Sequence, residues 1–140
     1  MAMNENNISP YDIKKINVVV SDLSFKATEI YSIKTIFDAK FSIPYCIANA
    51  ILNKDTGLSM FTENTINDEK ILKYMNKIYM TSNQSFNPVE AKVIFELSNG
   101  QHIEKTVDVF NQIPKLDVKR QRIINKFQNI CNKYISNSII

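Results

Sequence analysis

The sequence predicts an α+β fold, in which a mainly antiparallel sheet carries about three helices on one of its faces. Three features indicate this fold: a β-branched run near the N-terminus, an alternating hairpin in the second half, and an uncharged helix between them. Their order, β-α-α-β-β-β-α, suits two layers around one core. A chain of 140 residues is long enough for one such domain, which we expect over residues 10–140 after a flexible leader at 1–9.

The first predicted element is a strand over residues 12–21, in which Ile16, Val18 and Val20 point to one face. Residues 23–37 show no clean hydrophobic period and few turn residues. We therefore expect an irregular connection between this strand and the next element.

The central element is the run 39–52, which carries no charge after Lys40. Ser42 is a suitable helix N-cap, and Pro44 fits the first turn because its missing N–H is not needed there. Apolar residues occur on several sides of this helix, so we expect it to be buried as the element on which the others pack. Gly57 is expected to end this region in a left-handed conformation.

A second helix is predicted from the Asn67-Asp68-Glu69 sequence to about Lys77, with Asn67 or Asp68 as its cap. Residues 58–61 are predicted to be a short extended piece or a single turn. Residues 78–81 are predicted to continue as a strand.

The clearest local signal is a hairpin, because residues 91–97 alternate between apolar and polar side chains before an Asn99-Gly100 pair. Asn-Gly favours a two-residue type I′ turn. The return strand 103–110 includes Lys105 among apolar residues, which is typical of an edge strand.

The last predicted helix covers about residues 118–135, with Ile123, Phe127, Ile130 and Tyr134 at helical spacing. Its polar face is basic, through Lys115, Lys119, Arg120, Arg122 and Lys126. A solvated face is the simplest interpretation, and a nucleic-acid-binding stripe is the alternative. The net charge of +3 is modest and no aromatic platform interleaves with the basic residues, so nucleic acid is the less favoured partner.

Composition excludes several classes of site. The two glycines, Gly57 and Gly100, cannot form a Gly-rich phosphate loop. Cys46 and Cys131 are isolated in apolar surroundings, which predicts reduced core cysteines rather than a zinc site. The first ten residues are polar, so we expect neither a signal peptide nor a membrane span, and we expect a cytoplasmic location.

Residues 39–45, Ala-Lys-Phe-Ser-Ile-Pro-Tyr, are followed by an Ala-containing apolar helix and resemble the A-x-F-S-x-x-Y segment of the MmgE/PrpD family. That family includes 2-methylcitrate dehydratase, cis-aconitate decarboxylase and iminodisuccinate epimerase. Other parts of the chain are similar to the family and occur in the same order. They are the strand before this segment, the Phe61-Thr62 connection with Asn67-Asp68, the Asn99-Gly100 hairpin, and the Pro114-Lys115-Leu116 and Lys126-Phe127 pieces.

The resemblance covers nearly the whole chain from about Ile8, but it concerns only the smaller C-terminal α+β lid domain of the family. The larger helical domain, which supplies most catalytic residues, has no counterpart here, nor does the Lys/His-bearing segment before the first strand of the lid. The resemblance implies lyase or isomerase chemistry beside the carboxylates of small di- and tricarboxylic acids, with no metal and no organic cofactor. Such chemistry needs a general base, an acid and cations that hold the substrate.

Tyr45 is the one catalytic residue that the resemblance implies, as a phenol at the lid's edge that faces the cleft between domains and donates a proton or a hydrogen bond. The alternative is a partly buried tyrosine whose hydroxyl is satisfied by the backbone. Lys40 and Ser42 flank it as candidate substrate-binding residues. A solvated lysine and a helix N-cap are the simpler interpretations of those two.

His102 lies beside the hairpin turn and is expected to be a surface residue, away from other acids and bases. Two hypotheses follow for the whole chain. In the first, it is the lid of a truncated or split enzyme, inactive without the helical domain, with an apolar patch exposed for that domain or for a dimer mate. In the second, it is a non-catalytic dimerisation or interaction module derived from that lid, with no membrane partner.

Overall fold

The structure is a computed structural model that describes residues 8–54, 57–111 and 113–131. The chain divides into two compact units, residues 1–108 and residues 109–140. The strands are β1 (Ile13–Val20), β2 (Ile78–Ser82), β3 (Glu90–Leu97) and β4 (His102–Asp108). The helices are α1 (Asp22–Thr28), α2 (Ile36–Phe41), α3 (Ile43–Asn53), α4 (Glu63–Ile66), α5 (Glu69–Met75) and, in the second unit, α6 (Leu116–Cys131).

The first unit has the predicted α+β architecture. Its four strands lie in the order β2-β1-β3-β4, with β1 parallel to β2 and antiparallel to β3, and β3 antiparallel to β4. Ile16 lies opposite both Ile78 and Phe95, and all three side chains are buried. The other face carries polar side chains such as Lys15 and Glu96. The helices therefore cover one face of a mainly antiparallel sheet, as predicted.

The central helix is confirmed as α3. It begins after Ser42, whose Oγ accepts a hydrogen bond from the Tyr45 N–H, and Pro44 lies in its first turn. By helical spacing its buried residues share one broad face, and the apolar residues on its other sides are half-buried, so the helix is covered less completely than expected. The prediction for Gly57 is wrong: its φ is −94°, whereas Lys54, directly after the helix, takes the left-handed conformation with φ 54°.

The irregular connection predicted for residues 23–37 is also wrong, because α1 and the first residues of α2 lie in it. The N-cap of each helix, rather than a hydrophobic period, marks where the helix begins. Ser21 accepts from the Ser24 N–H at the start of α1, and Thr35 and Asp38 form a reciprocal capping box at the start of α2. Helices of seven and six residues are too short to show a clear periodicity.

The predicted second helix and following strand are confirmed as α5, capped by Asp68, and β2. Residues Leu58–Met60 form one 3-10 turn. The hairpin is confirmed, but its turn is not a two-residue type I′ turn. The Gly100 N–H donates to the Leu97 carbonyl and the Leu97 N–H donates to the Gln101 carbonyl, each at 2.9 Å. Residues 98–100 therefore form a three-residue loop, in which Gly100 has φ 85°.

In the second unit, α6 begins at Leu116 rather than near 118, and the predicted end of the helix, with Tyr134, lies outside the described residues. Most of the predicted leader, residues 1–7, also lies outside them; Ser9 caps a 3-10 turn at Pro10–Asp12. Over the described ranges, none of the helices combines the length and the apolar content that crossing a bilayer requires.

Candidate functional site

Ser42 joins the two helices that carry the segment singled out in the sequence. Its side chain is fully buried between the end of α2 and the start of α3. Its Oγ accepts from the Tyr45 N–H at 3.0 Å and donates to the carbonyl of Ile30 at 2.5 Å. The N-cap interpretation of Ser42 is confirmed, and the same hydroxyl also fixes the chain that precedes α2.

Tyr45 lies in the core, with 0% of its surface exposed. Its hydroxyl donates to the carbonyl of Met60 at 2.6 Å, and the side-chain amide of Asn49 lies 3.4 Å from the same hydroxyl oxygen. The expectation that Tyr45 faces an open cleft is therefore wrong for this structure. The alternative, a tyrosine whose hydroxyl is satisfied by the backbone, describes its position.

The polar contacts around Tyr45 include residues that sequence reasoning missed. Asn49 is buried, and its amide also lies 3.4 Å from the Met60 carbonyl, while its own oxygen accepts from Asn53 at 2.9 Å. Thr65 donates to the same Met60 carbonyl at 2.9 Å. An asparagine one helical turn after a tyrosine, inside an otherwise apolar run, is the sequence signal that could have indicated this network.

Lys40 remains exposed in the last turn of α2. On the same helix, the rings of Phe37 and Phe41 are in tilted contact with centroids 4.6 Å apart, although 67% and 47% of their surfaces are exposed. Large exposed aromatic side chains are typical of surfaces that contact another molecule. The exterior of α2 therefore carries a cation and an apolar aromatic pair next to the buried Ser42.

His102 is exposed, as expected, but it is not isolated from other ionisable groups. It lies opposite Glu96 in the sheet, and Glu96 forms a 2.7 Å ion pair with Lys14. The hydrogen bond from Lys14 holds the pKa of the Glu96 carboxyl below its ordinary value, with smaller contributions from the charges of Lys14 and Lys15. His102 and Asp12 also line an open cavity of about 620 Å³ at this end of the sheet.

Cys46 is a free thiol whose pKa is raised by burial, and Cys131 is also free. Within the residues that the structure describes, no group of three or more His, Cys, Asp or Glu side chains is placed to hold a metal ion.

In the second unit, α6 is amphipathic. By helical spacing, Leu116, Ile123 and Phe127 share one face, and all three are exposed. The basic residues predicted for this helix are exposed as well, at Lys115, Lys119, Arg120, Arg122 and Lys126. By the same spacing Lys119, Arg122 and Lys126 share a second face, whereas Arg120 lies on the apolar one. Exposure of the basic face fits both the solvated face and the nucleic-acid-binding alternative.

Comparison with protein families gives a match over nearly the whole chain. Residues 1–139 match the model described as MmgE/PrpD C-terminal domain. A comparison with curated proteins finds no match. The matched range includes β1, the Ser42–Tyr45 segment, the hairpin and α6.

Proposed function

Because the chain belongs to the MmgE/PrpD family through its C-terminal domain, we propose that it is the lid domain of a lyase or isomerase acting on small di- and tricarboxylic acids. The match over residues 1–139 is the observation that carries this proposal. The proposal places the chain in the cytoplasm, where isolated thiols such as those of Cys46 and Cys131 stay reduced.

The lid requires a helical domain that supplies the groups for proton abstraction. Elimination or inversion beside a carboxylate needs a base, an acid and cations in one place. The hydroxyl of Tyr45 is already bonded to Met60, so no proton transfer is assigned to it. Lys40, which is exposed beside the motif, is the proposed contribution of the lid to attracting a substrate carboxylate.

Each unit exposes apolar side chains that a companion domain would cover, which supports the proposal. In the first unit these are the neighbouring Phe37 and Phe41 on α2. In the second unit they are Ile123 and Phe127 on α6. A helix with one apolar face gains most of its stability from covering that face, so α6 is suited to packing against other helices.

Co-expression of the full chain with the helical domain of an MmgE/PrpD enzyme tests the proposal. We expect the two proteins to co-elute from a sizing column and to turn over 2-methylcitrate or cis-aconitate, while the chain alone turns over neither. If the two proteins are produced together, remain apart and show no activity, the proposal is wrong.

Two matched variants test whether α6 forms the contact with the helical domain. Phe127→Glu places a charge on the apolar face of α6 and is expected to abolish co-elution, because an unpaired charge would be buried. Gln128→Glu adds the same charge away from that face and is expected to preserve it. Co-elution of both variants with the helical domain would exclude the apolar face of α6 from the contact.

The second candidate function is a non-catalytic interaction module, favoured by the basic face of α6. Charge reversal at Lys119, Arg122 and Lys126, which share this face by helical spacing, tests whether it binds a polyanion. Reduced retention on heparin would support that function. Unchanged retention and an unchanged set of bound partners would exclude the nucleic-acid version.

A further inference from the structure

The outer edge of β2 is one of the two free sides of the sheet. The Ile16 N–H donates to the Lys77 carbonyl and the Asn83 N–H donates to the Val20 carbonyl, each at 2.8 Å. Because backbone groups of a strand alternate in direction, odd-numbered residues from 77 to 83 face β1. The backbone groups of Ile78 and Met80 therefore face outward.

The hydroxyl of Tyr31 occupies these outward groups. It donates to the carbonyl of Ile78 at 3.1 Å and accepts from the N–H of Met80 at 3.2 Å. In a parallel sheet, one residue of a neighbouring strand would donate to the first group with its N–H and accept from the second with its carbonyl. A single side-chain oxygen of Tyr31 thus makes both bonds that one residue of a further strand would make.

Residues 29–34, here called the strap, hold Tyr31 in this position. The carbonyl of Ile30 accepts from the buried Ser42 hydroxyl at 2.5 Å. At the other end of the strap, the carboxylate of Asp38 accepts from the Lys34 N–H at 3.1 Å. The strap is therefore tied at both ends to the α2–α3 segment, independently of β2.

The strap covers the edge of β2 only in part. An open hollow of about 340 Å³ is lined by Glu29 and Tyr31 of the strap and by residues of and next to β2, such as Asn76 and Tyr79. Tyr31 itself is 42% exposed. The two bonds of its hydroxyl connect the strap to the edge.

The two edge strands of the sheet differ in charge. β4 contains Glu104, Lys105 and Asp108, and charged residues of this kind discourage a further strand from pairing. β2, with the sequence Ile-Tyr-Met-Thr-Ser, contains no charge. Because β2 lacks charged residues, its edge needs another means of preventing a further strand from pairing with it.

We propose that the outer edge of β2 is a strand-binding site that the chain fills with its own Tyr31. When Tyr31 is withdrawn, the partner that fits this site is the β2 edge of a second copy. A two-fold antiparallel pairing centred on Met80 sets Ile78 opposite Ser82 of the second copy. It uses outward-facing groups on both strands and brings no like charges together.

Tyr31→Phe in the full chain tests this proposal, with Tyr79→Phe as the matched control. Tyr79 is on β2 itself, but its ring lies on the uncovered face of the sheet beneath Lys15. The first measurement is the hydrogen-exchange rate of the Met80 amide by NMR. Removal of one hydrogen bond corresponds to an increase of about tenfold, expected for Tyr31→Phe and not for Tyr79→Phe.

The second measurement is sedimentation velocity over a wide range of protein concentration. We expect Tyr31→Phe to form dimers as the concentration rises. The wild type and Tyr79→Phe are expected to have the same sedimentation coefficient as each other at every concentration. Equal Met80 exchange in the two variants would overturn the role of the hydroxyl. Faster exchange without self-association would overturn the second copy as partner.

If Tyr31→Phe does not fold, the wild-type protein still tests the proposal. The Met80 amide is expected to exchange more slowly than that of Ser82, the next outward-facing residue of β2. Equal rates at the two positions would show that Tyr31 does not close the edge.

Discussion

The hydroxyl of Tyr45 donates a 2.6 Å hydrogen bond to the main-chain carbonyl of Met60, and so joins α3 to the connection that leads into α4. Both residues are buried, and the rings of Tyr45 and Phe61 lie 6.2 Å apart. The tyrosine of the sequence motif therefore positions the chain after α3. In this arrangement the motif stabilises the first unit itself, and Lys40 is the exposed ionisable residue beside it.

Tyr45→Phe removes this hydrogen bond while keeping the ring. The Met60 carbonyl still accepts from Thr65, so we expect a loss of about 1–1.5 kcal/mol in the free energy of unfolding. Tyr45→Ala also leaves a cavity, and the expected loss is about 3–5 kcal/mol. Urea denaturation measures both. Tyr11→Phe, at an exposed position, is the control, and equal effects of the two Tyr→Phe variants would contradict the prediction.

Ser42→Ala is expected to destabilise the chain more than removal of an ordinary helix cap. The substitution loses the cap of α3 and also leaves the Ile30 carbonyl without the Ser42 hydroxyl, for a combined loss of about 2–3 kcal/mol. Thr35→Ala, at the exposed cap of α2, is the matched comparison, with an expected loss of about 1 kcal/mol. Equal midpoints in urea for the two variants would show that the bond to Ile30 adds nothing.

The sequence predicts α3 and the hairpin strands because their signals are local. The N-cap at Ser42 and the alternation in β3 can be identified within a few residues. The direction of Tyr45 could not be predicted in the same way, because a helix that is apolar on several sides does not indicate which side faces outward. The short helices α1 and α2 were missed since caps, rather than a periodic apolar face, define them.

The position of His102 depends on one residue in the hairpin loop. A two-residue turn at Asn99-Gly100 would place His102 opposite Leu97, on the face that the helices cover. The three-residue loop shifts the register by one, so that His102 lies opposite Glu96 on the uncovered face. A shift of one residue moves every side chain of a strand to the other face, which explains why the neighbours of His102 were not predicted.

Alkaline conditions are expected to weaken the first unit through Tyr74. Its hydroxyl donates to the Pro10 carbonyl at 3.0 Å, and burial raises its pKa from 10.0 to about 12. Since the folded pKa exceeds the unfolded one, this stabilisation is complete below pH 10 and is lost as the pH rises towards 12. Urea midpoints measured from pH 8 upward should therefore fall less steeply for Tyr74→Phe than for the wild type. Parallel pH profiles of the two proteins would contradict this assignment.

Gly100→Ala is expected to destabilise the hairpin by about 1–2 kcal/mol, because a residue with a Cβ is strained at a positive φ. The φ of Gly100 is 85°, and nothing lies within 4 Å of the position that its Cβ would take. The expected loss thus comes from backbone conformation rather than from a steric clash. Urea denaturation measures it, and Gly100→Asn should recover part of the loss, since asparagine tolerates this region better than alanine.

Gly57→Ala is the control, because Gly57 has a negative φ. A loss for Gly57→Ala as large as that for Gly100→Ala would show that the left-handed conformation is not the cause.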